Sequence, residues 1–159
     1  MLELTVKQHA ASGPPNGVGD SMLADRTVFE EQVAVLEALQ RAFERRDAAA
    51  LAELVHPDAT LRLITAPEGG DVRGRDGALD YMDDVERRLI VPAFHSIEPA
   101  GNDAVLVIGR IQYQHADNSL TDTTAVWLVQ FRDGLIWQTD TFTNEADARA
   151  QAALLSPPG

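Results

Sequence analysis

The sequence contains no cysteine, which excludes disulfide bonds, thiolate chemistry and zinc sites built on thiolates. Basic residues are also scarce, since 13 Lys and Arg stand against 25 Asp and Glu and give a formal net charge of −12. Nucleic acids and anionic membrane surfaces require a basic footprint, so neither is expected as a partner. No apolar run reaches the roughly 20 residues of a membrane span, and no signal-peptide core is visible. A cytoplasmic location is therefore expected.

The overall composition of the chain indicates one globular domain. Its 159 residues are 45% hydrophobic and 24% charged. Residues 11–20 combine small residues with Pro and Gly, so residues 1–26 are predicted to be a flexible arm, with an edge strand at its start as the alternative. The domain itself is expected over 27–155, followed by a tail over 156–159. Met22 could equally be the natural start.

The stretch over residues 121–144 predicts a long β-hairpin. Its two β-rich runs meet at Asp133-Gly134, and Gly supplies the positive φ that a tight hairpin turn requires. Both tryptophans, Trp127 and Trp137, lie in this stretch. The hairpin is therefore expected to wall the main core or a pocket.

Helix signals come first along the chain and strand signals later. Thr27 and Glu30 have capping-box spacing, and Asp47 and Asn144 are further helix caps. The predicted elements are helices over 27–46, 48–55 and 76–89, a strand over 58–65, strands over 93–99 and 104–115, the hairpin, and a short helix ending near residue 155. This order predicts an α+β fold in which helices on one face of a curved sheet enclose a cone with an open mouth.

Four short motifs resemble one large superfamily. They are residues 46–47 (RD), 56–60 (HPDAT), 72–78 (VRGRDGA) and 131–136 (FRDGLI). The superfamily includes the ketosteroid isomerases, the SnoaL-like polyketide cyclases, limonene epoxide hydrolase and nuclear transport factor two. The resemblance implies a cystatin-like roll, with three N-terminal helices on the concave face of a curved, mostly antiparallel sheet. The motifs are turns, caps and packing residues, so they are nearly silent on chemistry.

The resemblance also locates the positions where these enzymes carry catalytic groups. The Tyr and the two acids of the ketosteroid isomerases fall on Leu39, Leu63 and Trp127, so that chemistry is not expected. The Arg and Asp of limonene epoxide hydrolase fall on Arg110 and Gln112. Gln112 cannot take a proton from water, so the relay of that enzyme is broken here.

The last-strand Asp of the cyclases and epoxide hydrolases falls on Thr141. Asp140 is one residue short, and a shift of one residue turns a strand side chain to the opposite face. Asp140 therefore reaches the pocket only if a β-bulge intervenes.

The predicted catalytic candidates are Arg110, Asp140 and His95. Arg110 would stabilise an anion or oxyanion if its strand face points inward, and Asp140 or His95 would carry the proton. The predicted substrate-binding residues are Tyr81, Gln112, Trp127, Leu39, Phe43, Leu63 and Thr141. No metal and no cofactor is expected, because the four His show no ligand spacing.

Two functions remain open at this point. The first is a small hydrophobic-ligand protein acting as a cofactor-free isomerase, cyclase or hydratase on a polyketide- or terpenoid-like molecule. The second is a non-catalytic binding or dimerisation module whose pocket is filled by its own side chains. A homodimer through the sheet is expected in either case, because an outer sheet face bearing Val and Phe would be costly to leave wet.

Overall fold

The computed structural model describes residues 5–6, 19–63, 71–101 and 103–155, with side chains from residue 27 onward. These ranges contain four helices and seven strands. In chain order they are β1 (Thr5–Val6), α1 (Gly19–Arg45), α2 (Ala48–Glu53), β2 (Val55–Arg62), β3 (Val72–Arg73), α3 (Gly74–Arg87), β4 (Val91–Pro99), β5 (Ala104–Gln114), β6 (Leu120–Arg132), β7 (Leu135–Phe142) and α4 (Glu145–Leu155).

The strands form one sheet in the order β1-β4-β5-β6-β7-β2-β3. Neighbours from β4 to β7 are antiparallel, whereas β1 pairs with β4 and β2 pairs with β7 in parallel. Helices α1, α2 and α3 share one core with one face of the sheet, and α4 packs on the opposite face. The predicted α+β architecture, with helices packed against a mostly antiparallel sheet, is confirmed.

Two of the four described helices begin at predicted capping residues. Asp47 Oδ1 accepts a hydrogen bond from the Ala50 N–H at 3.0 Å before α2, and Asn144 Oδ1 accepts one from the Asp147 N–H at 2.8 Å before α4. The predicted start at Thr27 is wrong, because α1 begins at Gly19 and no Gly or Pro interrupts residues 20–26.

Two further boundaries differ from the sequence expectations. β3 lies between the predicted strand over 58–65 and the predicted helix over 76–89, where no strand was expected, and it pairs with β2. The predicted arm over residues 1–26 lies partly outside the described residues. Its described parts are β1, which pairs with β4 of the same chain, and the beginning of α1.

The hairpin turn between β6 and β7 is the predicted one. Asp133 and Gly134 both have positive φ, 55° and 77°, and Arg132 pairs directly with Leu135. A two-residue turn of this kind matches the twist of the flanking strands. The turn therefore fixes where β7 starts to pair with β6.

The side-chain amide of Gln40 ties α1 to the edge of β4. Its Nε2 donates to the Pro92 carbonyl at 2.8 Å, and its Oε1 accepts from the Phe94 N–H at 3.2 Å. β1 pairs with β4 only farther along, at Ser96 and Ile97, so this amide satisfies backbone groups on the side of β4 away from β5. The contact holds the middle of α1 over the concave face of the sheet.

The outer face of the sheet is covered in part by α4. Ala148 and Ala152 of this helix pack with Leu106, Val126 and Leu128 in a second core. The apolar outer face was the reason to expect a dimer, and α4 removes part of that reason by shielding these side chains within one chain. The homodimer remains a proposal.

Candidate functional site

A small apolar cavity lies between the concave face of the sheet and helices α1, α2 and α3. Its free volume is about 60 Å³. The side chains that line it are Leu36, Leu39, Phe43, Leu51, Val55, Leu61, Leu63, Ala78, Tyr81, Ile90, Pro92, Phe94, Val107, Ile111, Trp127, Val129, Ile136 and Thr139. None of these described lining residues is Asp, Glu, His, Lys or Arg.

Four aromatic rings line the cavity in two edge-on pairs. Phe94 packs edge-on against Trp127, with ring centroids 5.1 Å apart. Phe43 of α1 meets Tyr81 of α3 in the same geometry, at 6.4 Å. Phe43 is only partly buried, whereas the other three side chains are buried. The interior of the cone is therefore filled largely by the protein itself.

The two faces of β5 decide the position of Arg110. Val107 and Ile111 belong to the cavity side, whereas Leu106 and Ile108 pack in the outer core beside α4. Arg110 and Gln112 follow the outer alternation and are exposed. The condition set for Arg110, an inward strand face, is therefore not met. Gln112, expected among the binding residues, lies on the same outer face and is exposed.

The guanidinium of Arg110 has its partner outside the cavity. Its Nε lies 3.0 Å from Asp122 Oδ1, and Nη2 donates to the Asp122 carbonyl at 3.3 Å. Both side chains are about half exposed, so water screens this pair. Arg110 thus pairs with Asp122, whereas Asp140 pairs with Arg62.

A β-bulge in β7 decides the position of Asp140. Phe131 pairs with Ile136 and Gln130 with Gln138, so Trp137 is the extra residue. After it, Thr139 lies opposite Val129 on the cavity side. The bulge thus exists, but it turns Thr139 inward and Asp140 outward.

The carboxylate of Asp140 and the hydroxyl of Thr141 are both engaged by β2. Asp140 lies opposite Leu128 of the outer core and pairs with Arg62 Nη1 at 3.5 Å. Thr141 lies opposite Trp127, and its hydroxyl donates to the Arg62 carbonyl at 3.0 Å. Asp140 therefore faces away from the cavity, which corrects the expectation for that residue. Thr141 shares the inward face with Trp127 but is not among the described lining residues, so its role in binding stays a prediction.

His95 is the extra residue of a second bulge, in β4. Phe94 pairs with Gly109 and Ser96 with Ile108, which leaves His95 without a cross-strand partner. The side chain of His95 is exposed, while Phe94 lines the cavity. The expectation that His95 carries a proton inside the cone is therefore wrong, because its side chain lies outside the cavity.

Five of the predicted binding residues do line the cavity. They are Leu39, Phe43, Leu63, Tyr81 and Trp127. Whether they bind a ligand stays a prediction. Sequence reasoning missed Thr139, Phe94 and Ile111, because their inward orientation depends on bulges and on strand faces that no local signal marks.

Perturbed ionisable groups lie away from the cavity. Hydrogen bonds from the Ser119 hydroxyl and N–H lower the pKa of Asp117, in the turn between β5 and β6. Glu98 and Glu145 raise the pKa of Arg149 on α4 by hydrogen bonding to its guanidinium. Neither group lines the cavity, so the shifts reflect local structure rather than catalytic tuning.

Within the described residues, no three His, Asp or Glu side chains are grouped so that they could hold a metal ion. Helices long and apolar enough to span a membrane are likewise absent from the described part of the chain.

Comparison with known proteins gives one family and many related folds. The sequence model of the SnoaL-like domain matches residues 36–139. No curated protein sequence matches the chain at a significant level.

Three solved structures illustrate the fold. A Mycobacterium tuberculosis protein in complex with estradiol-17β-hemisuccinate is 14% identical, with a TM-score of 0.61 over 73% of this chain and 95% of that one. A Δ5-3-ketosteroid isomerase from Mycobacterium sp. is 17% identical, with a TM-score of 0.59 over 74% and 95%. The protein TerC, co-crystallised with polyporic acid, is 17% identical, with a TM-score of 0.59 over 77% and 98%. At these identities the likeness shows the fold alone.

Proposed function

The chain belongs to the SnoaL-like domain family, and we propose that it binds a small apolar molecule in its cone without acid–base catalysis. The observation that carries this proposal is the lining of the cavity. Its described side chains are apolar apart from the hydroxyls of Tyr81 and Thr139 and the indole N–H of Trp127. Such a site favours a neutral ligand by burial and offers no carboxylate or imidazole to move a proton.

Proteins with the same fold that contain small organic ligands support this proposal. One holds a steroid ester and another holds polyporic acid, as described above. A designed protein of this fold binds 17-OHP. These ligands are largely apolar, and the corresponding ligand of this chain is expected to be apolar or aromatic and much smaller.

The free volume sets an upper limit on what enters without rearrangement. About 60 Å³ is less than half of the roughly 150 Å³ of an apolar cavity that admits benzene in another protein. A ring-sized ligand therefore has to displace a side chain. Phe43 is the candidate, because it is partly buried and lies on α1 at the rim of the core.

The same small volume favours the second function, a non-catalytic module filled by its own side chains. The Phe94–Trp127 and Phe43–Tyr81 pairs already occupy much of the interior. A homodimer belongs to either function as a further proposal. The two functions differ in whether the native chain takes up a ligand at all.

Phe43→Ala is expected to raise the affinity for benzene by about tenfold, because the ligand no longer has to displace the ring. The measurement is a titration followed by NMR at the indole N–H of Trp127, assigned with the Trp137→Phe variant. Val28→Ala, an exposed position on α1, is the matched control and should leave the affinity unchanged.

Three results of this titration have distinct meanings. Saturable binding to the native chain that tightens in Phe43→Ala supports the proposed function. Binding to Phe43→Ala alone supports the self-filled module. If neither chain binds benzene, the cone does not take up an unsubstituted hydrocarbon ring, which counts against the proposed function.

A further inference from the structure

The hydroxyl of Thr139 is a polar group turned into an apolar cavity. Thr139 is 7% exposed and lines the cavity. Its hydroxyl makes no hydrogen bond to another described residue. Among the described residues, every side-chain oxygen that is fully enclosed has a hydrogen-bond partner. The Thr139 hydroxyl has none, so its oxygen is not fully enclosed, and we take the cavity that Thr139 lines to be the space beside it. A hydroxyl that borders a cavity without a protein partner is available to a ligand.

The backbone places this hydroxyl inward through the bulge at Trp137. In a regular strand that starts with Ile136 inward, Gln138 would face the cavity and Thr139 would face outward. The extra residue reverses that order, so Ile136 and Thr139 both line the cavity although they are three residues apart. The long, polar Gln138 is thereby kept out, and a short hydroxyl takes its place.

Two other polar groups border the same cavity. Tyr81 already has an interaction partner within the protein. The indole N–H of Trp127 can only donate a hydrogen bond, whereas a threonine hydroxyl donates and accepts. Thr139 is therefore the lining residue that can pair with either a carbonyl or a hydroxyl group.

We infer that Thr139 is the specificity-determining residue of the cavity, and that it selects neutral apolar ligands carrying one hydroxyl or carbonyl oxygen. This inference rests on the proposed function and names the ligand class of that site. A charged ligand is disfavoured, because the described lining offers no opposite charge to offset its desolvation. A pure hydrocarbon leaves the hydroxyl unpaired, so it binds less tightly than an oxygen-bearing molecule of the same shape.

Phenol and toluene test this selection, because they have nearly the same shape and phenol carries a hydroxyl where toluene carries a methyl group. Thr139→Val should weaken phenol binding by about five- to tenfold and change toluene binding by less than about twofold. Thr139→Ser, which retains the hydroxyl, should restore most of the phenol affinity. Binding is measured by NMR titration in the native chain, or in Phe43→Ala where native binding is too weak to measure.

Thr141→Val is the matched control, since it makes the same change on the same strand at a hydroxyl that bonds the Arg62 carbonyl. It should leave both affinities within about twofold. The inference is overturned if Thr139→Val leaves phenol binding unchanged, or if Thr141→Val causes the same loss. The proposed function survives those results. If neither phenol nor toluene binds any variant, both the inference and the proposed function are wrong.

Discussion

Gly109→Ala is expected to lower the free energy of unfolding by about 3 kcal/mol or more. A Cβ at this position would lie 2.0 Å from the carbonyl oxygen of Ala93, a backbone atom that cannot rotate away. Gly109 pairs with Phe94 next to the bulge at His95, where β4 bends against β5. The close approach of the two strands therefore depends on the missing side chain.

The size of this effect is checked by chemical denaturation of the native chain and the Gly109→Ala variant, with Gly134→Ala as the control. Gly134 has a positive φ of 77°, unlike Gly109, and a Cβ there meets no atom within 4 Å. Backbone strain alone should cost about 1–2 kcal/mol at that position. If Gly109→Ala and Gly134→Ala lower the free energy of unfolding equally, the strand contact at Gly109 does not hold the sheet in its curved form.

Val107→Phe is expected to weaken benzene binding by about 100-fold, because the added ring takes the space in which the ligand would bury roughly 2–3 kcal/mol of apolar surface. Val107 is fully buried and lines the cavity from the middle of β5. Only about 60 Å³ is free, so the ring and a ligand cannot both be accommodated. The measurement is the same NMR titration, in the native chain or in Phe43→Ala.

Ile108→Phe is the matched control for this substitution. Ile108 is the next residue on β5 and packs on the opposite face, beside the core that α4 covers. It should change benzene affinity by less than about twofold, whatever its effect on stability. A ligand that binds equally well to Val107→Phe would have its site outside the cone.

Local signals predicted most of the elements, although not β3 or the start of α1. Asp47 and Asn144 cap their helices, and Asp133-Gly134 makes the predicted turn. Each of these signals acts through hydrogen bonds or dihedral angles within a few residues, which is why sequence reasoning detects them. The α+β architecture follows from the order of such elements.

The orientation of the site residues could not be predicted in the same way. β5 is apolar on both faces, because α4 covers the outer one, so the alternation around Arg110 does not identify the inside. The bulges at His95 and Trp137 each shift the register by one residue. A shift of one residue exchanges the two faces of a strand. Thr139 therefore points into the cavity and Asp140 points away from it.

The pH dependence of benzene binding tests the central claim most directly, because benzene has no ionisable group of its own. The described lining contains no Asp, Glu or His, so the affinity measured by NMR titration should stay within about twofold from pH 5 to pH 9. A change of about tenfold with a single midpoint in that range would place a titrating group at the ligand. That result would contradict a lining without Asp, Glu or His and return acid–base chemistry to the cone.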